Sequence, residues 1–230
     1  MKTIGLIGGM SWESTRSYYE SINRLVNQRL GGFHSAKIIM ISVDFAEIEW
    51  LQQRGDWQKA GELLAECGQK LEFAGADVVL ICTNTMHRVA DQVQQRISIP
   101  LLHIADVTGA YLQKSGYTKS GLLGTRFTME QDFYKQHIIE KYAIAMLIPP
   151  REDRQVVHDI IYQELVKGEF NSRSKDQYLK IIATLAENGA QSVVLGCTEI
   201  GLLIQQQDSP LPLLDTTELH CQAAVEFALM

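Results

Sequence analysis

Gly5-Leu6-Ile7-Gly8, near the start of the chain, returns as Gly121-Leu122-Leu123-Gly124, 116 residues on. Each is a short apolar run closed by glycine, as where a buried strand enters a turn. Two further echoes keep the order. Gly75-Ala76 before one apolar run matches Gly189-Ala190 before another, at an offset of 114, and Pro100-Leu101-Leu102 matches Pro212-Leu213-Leu214 at 112. Three ordered matches at nearly one offset imply a duplicated unit. Around them, β-branched runs alternate with stretches of helical length, the pattern of a parallel α/β fold.

The first half predicts strands at Thr3–Ile7, Lys37–Val43, Asp77–Ile81 and Leu101–Ile104. Its helices run to about Leu30 after a Ser11 or Ser14 cap, over Trp57–Phe73, and over Val89–Arg96. The second half predicts strands at Ser120–Leu123, Ala143–Ile148, Ser192–Leu195 and Leu211–Leu214, with helices at Met129–Lys141, Asp153–Lys167, Lys175–Asn188 and Glu218–Leu229. The expectation is two pseudo-symmetric parallel-sheet α/β domains, residues 1–113 and 114–230, with the last strand or helix of each half able to pack on the other. Open α/β sheets bind ligands beyond the carboxyl ends of their strands. Two such halves would enclose a cleft lined by related strand ends.

Composition narrows the function. The chain has 230 residues, 46% of them hydrophobic, and 21 Lys and Arg against 27 Asp and Glu, a net charge of −6. A packed core is expected, and a nucleic-acid partner is not, because that role needs a basic face. No apolar run approaches the roughly 18 residues of a membrane span. Glycines and Glu13 interrupt the apolar start, so no secretory signal is expected and the location is read as cytoplasmic. The four cysteines, Cys67, Cys82, Cys197 and Cys221, lie too far apart for a metal knuckle, and Cys67 and Cys221 read as buried hydrophobes. Gly5–Gly9 lacks the spacing of a dinucleotide fingerprint.

Two strand ends hold the reactive groups. Leu80-Ile81-Cys82-Thr83-Asn84-Thr85-Met86-His87 and Leu195-Gly196-Cys197-Thr198-Glu199 each put thiol, hydroxyl and amide or carboxylate groups just past an apolar run. Such groups, with free backbone N–H donors, suit a carboxylate or phosphate ligand. A thiol there can serve as nucleophile or base once its pKa falls toward neutrality. The residues alone leave one alternative open. Matching Val78-Val79-Leu80 to Val193-Val194-Leu195 pairs Cys82 with Cys197, whereas matching Gly75-Ala76 to Gly189-Ala190 pairs Thr83 with Cys197. One residue of slip turns a side chain to the other face.

The segments IGLIGGMSWEST, CTNTMH, LLGTRFTMEQDFY and GCTEIGLL together resemble the cofactor-independent aspartate/glutamate racemase family from end to end. That resemblance implies two α/β domains, an active site between them, no pyridoxal phosphate, no metal and a homodimer. Family members carry Cys-Asn-Thr at the first site and Cys-Thr-Glu at the second. Here the second is intact as Cys197-Thr198-Glu199, but Thr83 stands before Asn84-Thr85 where the first thiol is expected. The resemblance therefore favours Thr83 over Cys82 and points to a branch specific for L-aspartate or L-glutamate. It implies Cys197 as the base for the L enantiomer and reprotonation from the Thr83 side. Asn84, Thr85, Thr198 and Glu199 would bind the substrate carboxylate and ammonium, Thr125 and Thr128 one carboxylate, and Met10 the cleft wall.

A cation for the side-chain carboxylate does not transfer cleanly: Lys167 sits near one expected position, and Gln52 lies in the second loop beside Arg54. His87 and His103 are candidates for tuning the first site. A one-cysteine decarboxylase, a hydantoin racemase or maleate isomerase, and a non-catalytic amino-acid-binding protein are the alternatives.

Overall fold

The computed structural model describes all 230 residues, which form two compact units, Met1–His103 with His220–Met230, and Ile104–Leu219. In the first, β1 (Ile4–Gly8) is followed by α1 (Trp12–Leu30), β2 (Ile38–Ser42), α2 (Phe45–Arg54), α3 (Trp57–Phe73), β3 (Val78–Ile81) and α4 (Ala90–Gln94). The sheet is parallel, in the order β2-β1-β3. Ser11 caps α1 by accepting from the Ser14 N–H at 3.2 Å, and Asp56 caps α3 through Lys59 N–H at 3.1 Å.

In the second unit, α5 (Ile104–Lys114) leads to β4 (Lys119–Gly124), α6 (Arg126–Glu130), α7 (Asp132–Tyr142), β5 (Ala145–Leu147), α8 (Arg151–Gln163), α9 (Ser172–Glu187), β6 (Val193–Gly196), α10 (Ile200–Leu203), β7 (Leu213–Asp215) and α11 (Thr216–Leu229). This sheet is also parallel, ordered β5-β4-β6-β7. Residues of α11 from His220 onward count with the first unit.

The repeated glycines have a packing cause. A Cβ on Gly5 would lie 3.0 Å from Ala76 Cβ and 3.4 Å from Leu71 Cβ of α3, and one on Gly121 would lie 3.0 Å from Leu185 Cδ1 of α9. Each central strand thus lets a helix close down on it. Side chains on β1 and β3 alternate between two clusters, as a strand's period of two requires. Ile7, Val79 and Ile81 join Leu64 and Leu71, while Ile4, Leu6, Val78, Leu80 and Cys82 join Tyr18, Ile22, Cys221 and Val225.

Several elements differ from expectation. Leu101–Ile104 is no strand, since only Leu101 bridges to Val79. The Val79 N–H donates to the Pro100 carbonyl at 2.9 Å and the Leu102 N–H to the Val79 carbonyl at 3.0 Å, but α5 starts at Ile104 and ends the pairing there. Phe45–Arg54, unforeseen, is a helix opened by Asp44, which accepts from Ala46 N–H at 3.0 Å. The expected helix Met129–Lys141 breaks where Gln131 takes extended backbone, giving α6 and α7. β7 begins one residue after Pro212, whose carbonyl still accepts from Val193.

Candidate active site

The two ladders assign equivalent positions. Gly5 pairs with Val79 and Gly121 with Val193, so Leu80, Ile81 and Cys82 correspond to Val194, Leu195 and Gly196. Thr83 then corresponds to Cys197, Asn84 to Thr198 and Thr85 to Glu199. Cys82 completes the alternation of β3 and is wholly buried beside Tyr18 and Cys221. Burial alone pushes its thiol far above the usual range. Thr83, one residue on, is half-buried.

In the first unit, Met10, Gln52, Asn84 and Thr85 are all buried. Gln52 reaches the strand-end loop, with Nε2 3.1 Å from Met86 Sδ. Arg54, the charge beside Gln52, ends α2 and does not sit in a loop, and it stacks on Trp50, 4.6 Å from the ring centre, on the surface. Lys167 in the second unit is exposed on a short 3-10 turn. Thus neither cation is buried within its own unit.

The second unit gathers the intact triplet around one oxygen. Cys197 Sγ donates to Glu199 Oε2 at 3.1 Å, and Thr198 Oγ1 donates to the same oxygen at 2.6 Å. Burial first, then the Glu199 carboxylate, raises the Cys197 thiol well above its ordinary range, with Asp215 adding to the effect. The thiol is thereby held in its protonated form. Thr125 caps α6 by accepting from Thr128 N–H at 3.3 Å, and the two hydroxyls lie 3.2 Å apart. Thr128 has no exposed surface, so its side chain supports the turn rather than presenting itself to solvent.

Sequence inspection missed several neighbours. Asp215 ends β7 and accepts from the Thr217 and Glu218 N–H groups at 2.8 and 3.3 Å. Burial first, then the neighbouring Cys197 and Glu199, raises the phenol of Tyr178 from α9. In the first unit, Tyr18 OH donates to His220 Nδ1 and His220 Nε2 donates to the Leu102 carbonyl, both at 2.8 Å. Carbonyls only accept, so this network selects one tautomer of a neutral ring. No spacing in the chain links residues 18, 102 and 220, so only folding reveals the trio.

The profile of the Asp/Glu/Hydantoin racemase family matches residues 7–224. The chain belongs to that family. Membership makes it a racemase-family enzyme on the parallel α/β architecture expected for it. A crystal structure of a candidate Asp/Glu racemase from Yersinia pestis is 51% identical and covers 100% of both chains, with a TM-score of 0.93. An aspartate racemase homologue from Pyrococcus horikoshii is 32% identical, again over 100% of both chains, with a TM-score of 0.87. A broad specificity amino-acid racemase from Bacillus subtilis is 20% identical over 230 residues, 96% of each chain.

Burial also sets an acid limit on this racemase-family fold. Desolvation holds His220 down from 6.5 to about 4. The unfolded chain therefore binds this proton first, and stability falls as pH falls from about 6.5 to about 4, by about 1.4 kcal/mol per pH unit. The expected loss is about 3 kcal/mol. Urea unfolding across that window should show a shallower pH slope for His220→Gln than for the unsubstituted protein; equal slopes would rule this origin out.

Proposed function

We propose that the chain racemises aspartate or glutamate, with Cys197 acting on the α-hydrogen of the L enantiomer and the Thr83 side acting on the opposite face. The observation that carries this is the thiol–hydroxyl–carboxylate group at the end of β6, in a register equivalent to Thr83-Asn84-Thr85 at the end of β3. The names of the similar proteins agree with the substrate class.

Racemisation needs an acid and a base on opposite sides of one α-carbon. At rest the thiol is an acid, held protonated by burial first and then by Glu199. A substrate ammonium beside Glu199 would offset that carboxylate's share of what raises the thiol and ease its ionisation as the base. Thr83 is a much weaker acid than a thiol, so its share is to donate a hydrogen bond or relay a proton through water. Asn84, Thr85, Thr198 and their N–H groups would hold the α-carboxylate, while Gln52 and Met10 would border the ligand. Holding the developing carbanion is mainly an electrostatic task. The absence of a buried cation within either unit suits a site that takes both acidic side-chain lengths. A homodimer and a cytoplasmic location remain part of this proposal.

Proton NMR in D2O, with separate L and D enantiomers of both amino acids, tests it. L substrate should lose its α-hydrogen signal and D product should accumulate. Thr83→Cys should raise kcat for the D enantiomer, while Cys82→Ala should leave both directions unchanged. The kcat/KM ratio of the two directions must stay at unity, since enantiomers have equal free energy. Binding of aspartate without deuterium uptake would instead identify an amino-acid-binding protein.

A further inference from the structure

His87 lies four residues beyond Thr83 and is almost wholly buried. Its Nδ1 is 2.8 Å from the Thr83 carbonyl, which only accepts, so Nδ1 carries the hydrogen. The ring packs against His103 and His220, with centroids 4.8 and 5.6 Å away. Burial and these neighbours keep it neutral. The Leu102 carbonyl, which accepts from His220 Nε2, also lies close to the ring. As core filling this is a poor choice, because a leucine or phenylalanine would occupy the space without burying polar nitrogens. What histidine adds there is the donor on Nδ1.

The second ladder makes the comparison sharper. The residue four beyond Cys197 is Gly201, which has no side chain to offer. The Cys197 carbonyl accepts instead from the Ile200 N–H at 3.2 Å. A side-chain donor on this carbonyl therefore accompanies the hydroxyl half and not the thiol half.

We propose that His87 is a positioning residue that fixes the Thr83–Asn84 peptide, and through it the Thr83 hydroxyl and the Asn84 N–H. A trans peptide is planar, with its C=O and N–H on opposite edges, so pinning the oxygen fixes the direction of the N–H. Donation to the carbonyl also polarises the peptide and strengthens that N–H as a donor. A hydroxyl gives up its proton far less readily than a thiol, so its delivery depends more steeply on placement. This inference rests on the racemase proposal above and assigns a further residue to it.

The test compares His87→Leu and His87→Phe, which fill the space without a donor, with His87→Asn, whose Nδ2 stands in for Nδ1–H. The quantity read is the rate of D-aspartate or D-glutamate formation divided by the rate of L α-hydrogen exchange in D2O. Both come from one sample, so the folded fraction cancels. The apolar variants should lower the ratio about tenfold, the scale of one lost hydrogen bond, with L exchange kept within about threefold. His87→Asn should keep the ratio within about threefold of the unsubstituted protein. An unchanged ratio in the apolar variants, or an equal fall in all three, overturns the assignment. Absence of exchange in the unsubstituted protein would overturn the racemase proposal itself, a result separable from failure of His87.

Discussion

Cys197→Ala should abolish α-hydrogen exchange from L-aspartate and L-glutamate, by about a thousandfold or more. General acid–base groups contribute roughly 10²–10⁴ in rate, and no second thiol stands ready to replace this one. Cys82 is sealed in the cluster around Tyr18 with its thiol pushed far up, and Cys67 and Cys221 are buried too. Racemisation should fall with exchange, because removal of the α-hydrogen precedes formation of the D product. Circular dichroism should report an intact fold, since alanine replaces a small side chain whose hydrogen bond to Glu199 is duplicated by Thr198. Exchange surviving in a folded Cys197→Ala protein would sink the assignment of the base. The same measurement on Cys82→Ala serves as its control, and there exchange should persist.

Glu199→Gln is expected to move two observables in opposite directions. The carboxylate raises the Cys197 thiol both by its charge and by accepting its hydrogen. Replacing it with a neutral amide removes the charge, so the thiol should ionise at lower pH, visible as thiolate absorbance in an ultraviolet pH titration. Catalysis should nevertheless fall. If the carboxylate faces the substrate ammonium, its loss removes a charge-assisted hydrogen bond of about 1.5–3 kcal/mol, equivalent to about ten- to a hundredfold in kcat/KM. A more ionised thiol in a less active protein would separate binding of the ammonium from generation of the base. Faster racemisation would mean that thiol ionisation alone limits the rate and that Glu199 does not hold the substrate. Unchanged titration would contradict the short contact between Sγ and Oε2.

The raised thiol also bears on stability at high pH. Cys197 stays protonated in the fold while the unfolded chain ionises near the ordinary thiol value. Its contribution is therefore present below that value and lost as pH rises above it, which is the reverse of the acid-side behaviour of His220.

How much of this was legible in the chain differs from element to element. The helix Trp57–Phe73 was readable because its apolar spacing is regular over several turns. The central strands were readable because a buried parallel strand is a short apolar run wherever it occurs. Leu101–Ile104 misled because an apolar run alone does not reveal that α5 begins at Ile104 and leaves room for a single bridge. Gln131 gave no sign of breaking its helix, since it is an ordinary helix former.

By itself, the sequence determined the duplication, the α/β class and the family, because apolar periodicity, glycines under packed helices and short reactive motifs are local and survive in one dimension. Its internal echoes left Cys82 and Thr83 as rival partners of Cys197, and only the family resemblance leaned toward Thr83. The tertiary structure supplied the register, which turns one of these side chains into the core and leaves the other half-buried. It also decided the protonation of Cys197 and the link from His87 to the Thr83 carbonyl. These depend on burial and on distances between groups, and a pKa or a hydrogen bond has no value until folding brings the groups together and excludes water.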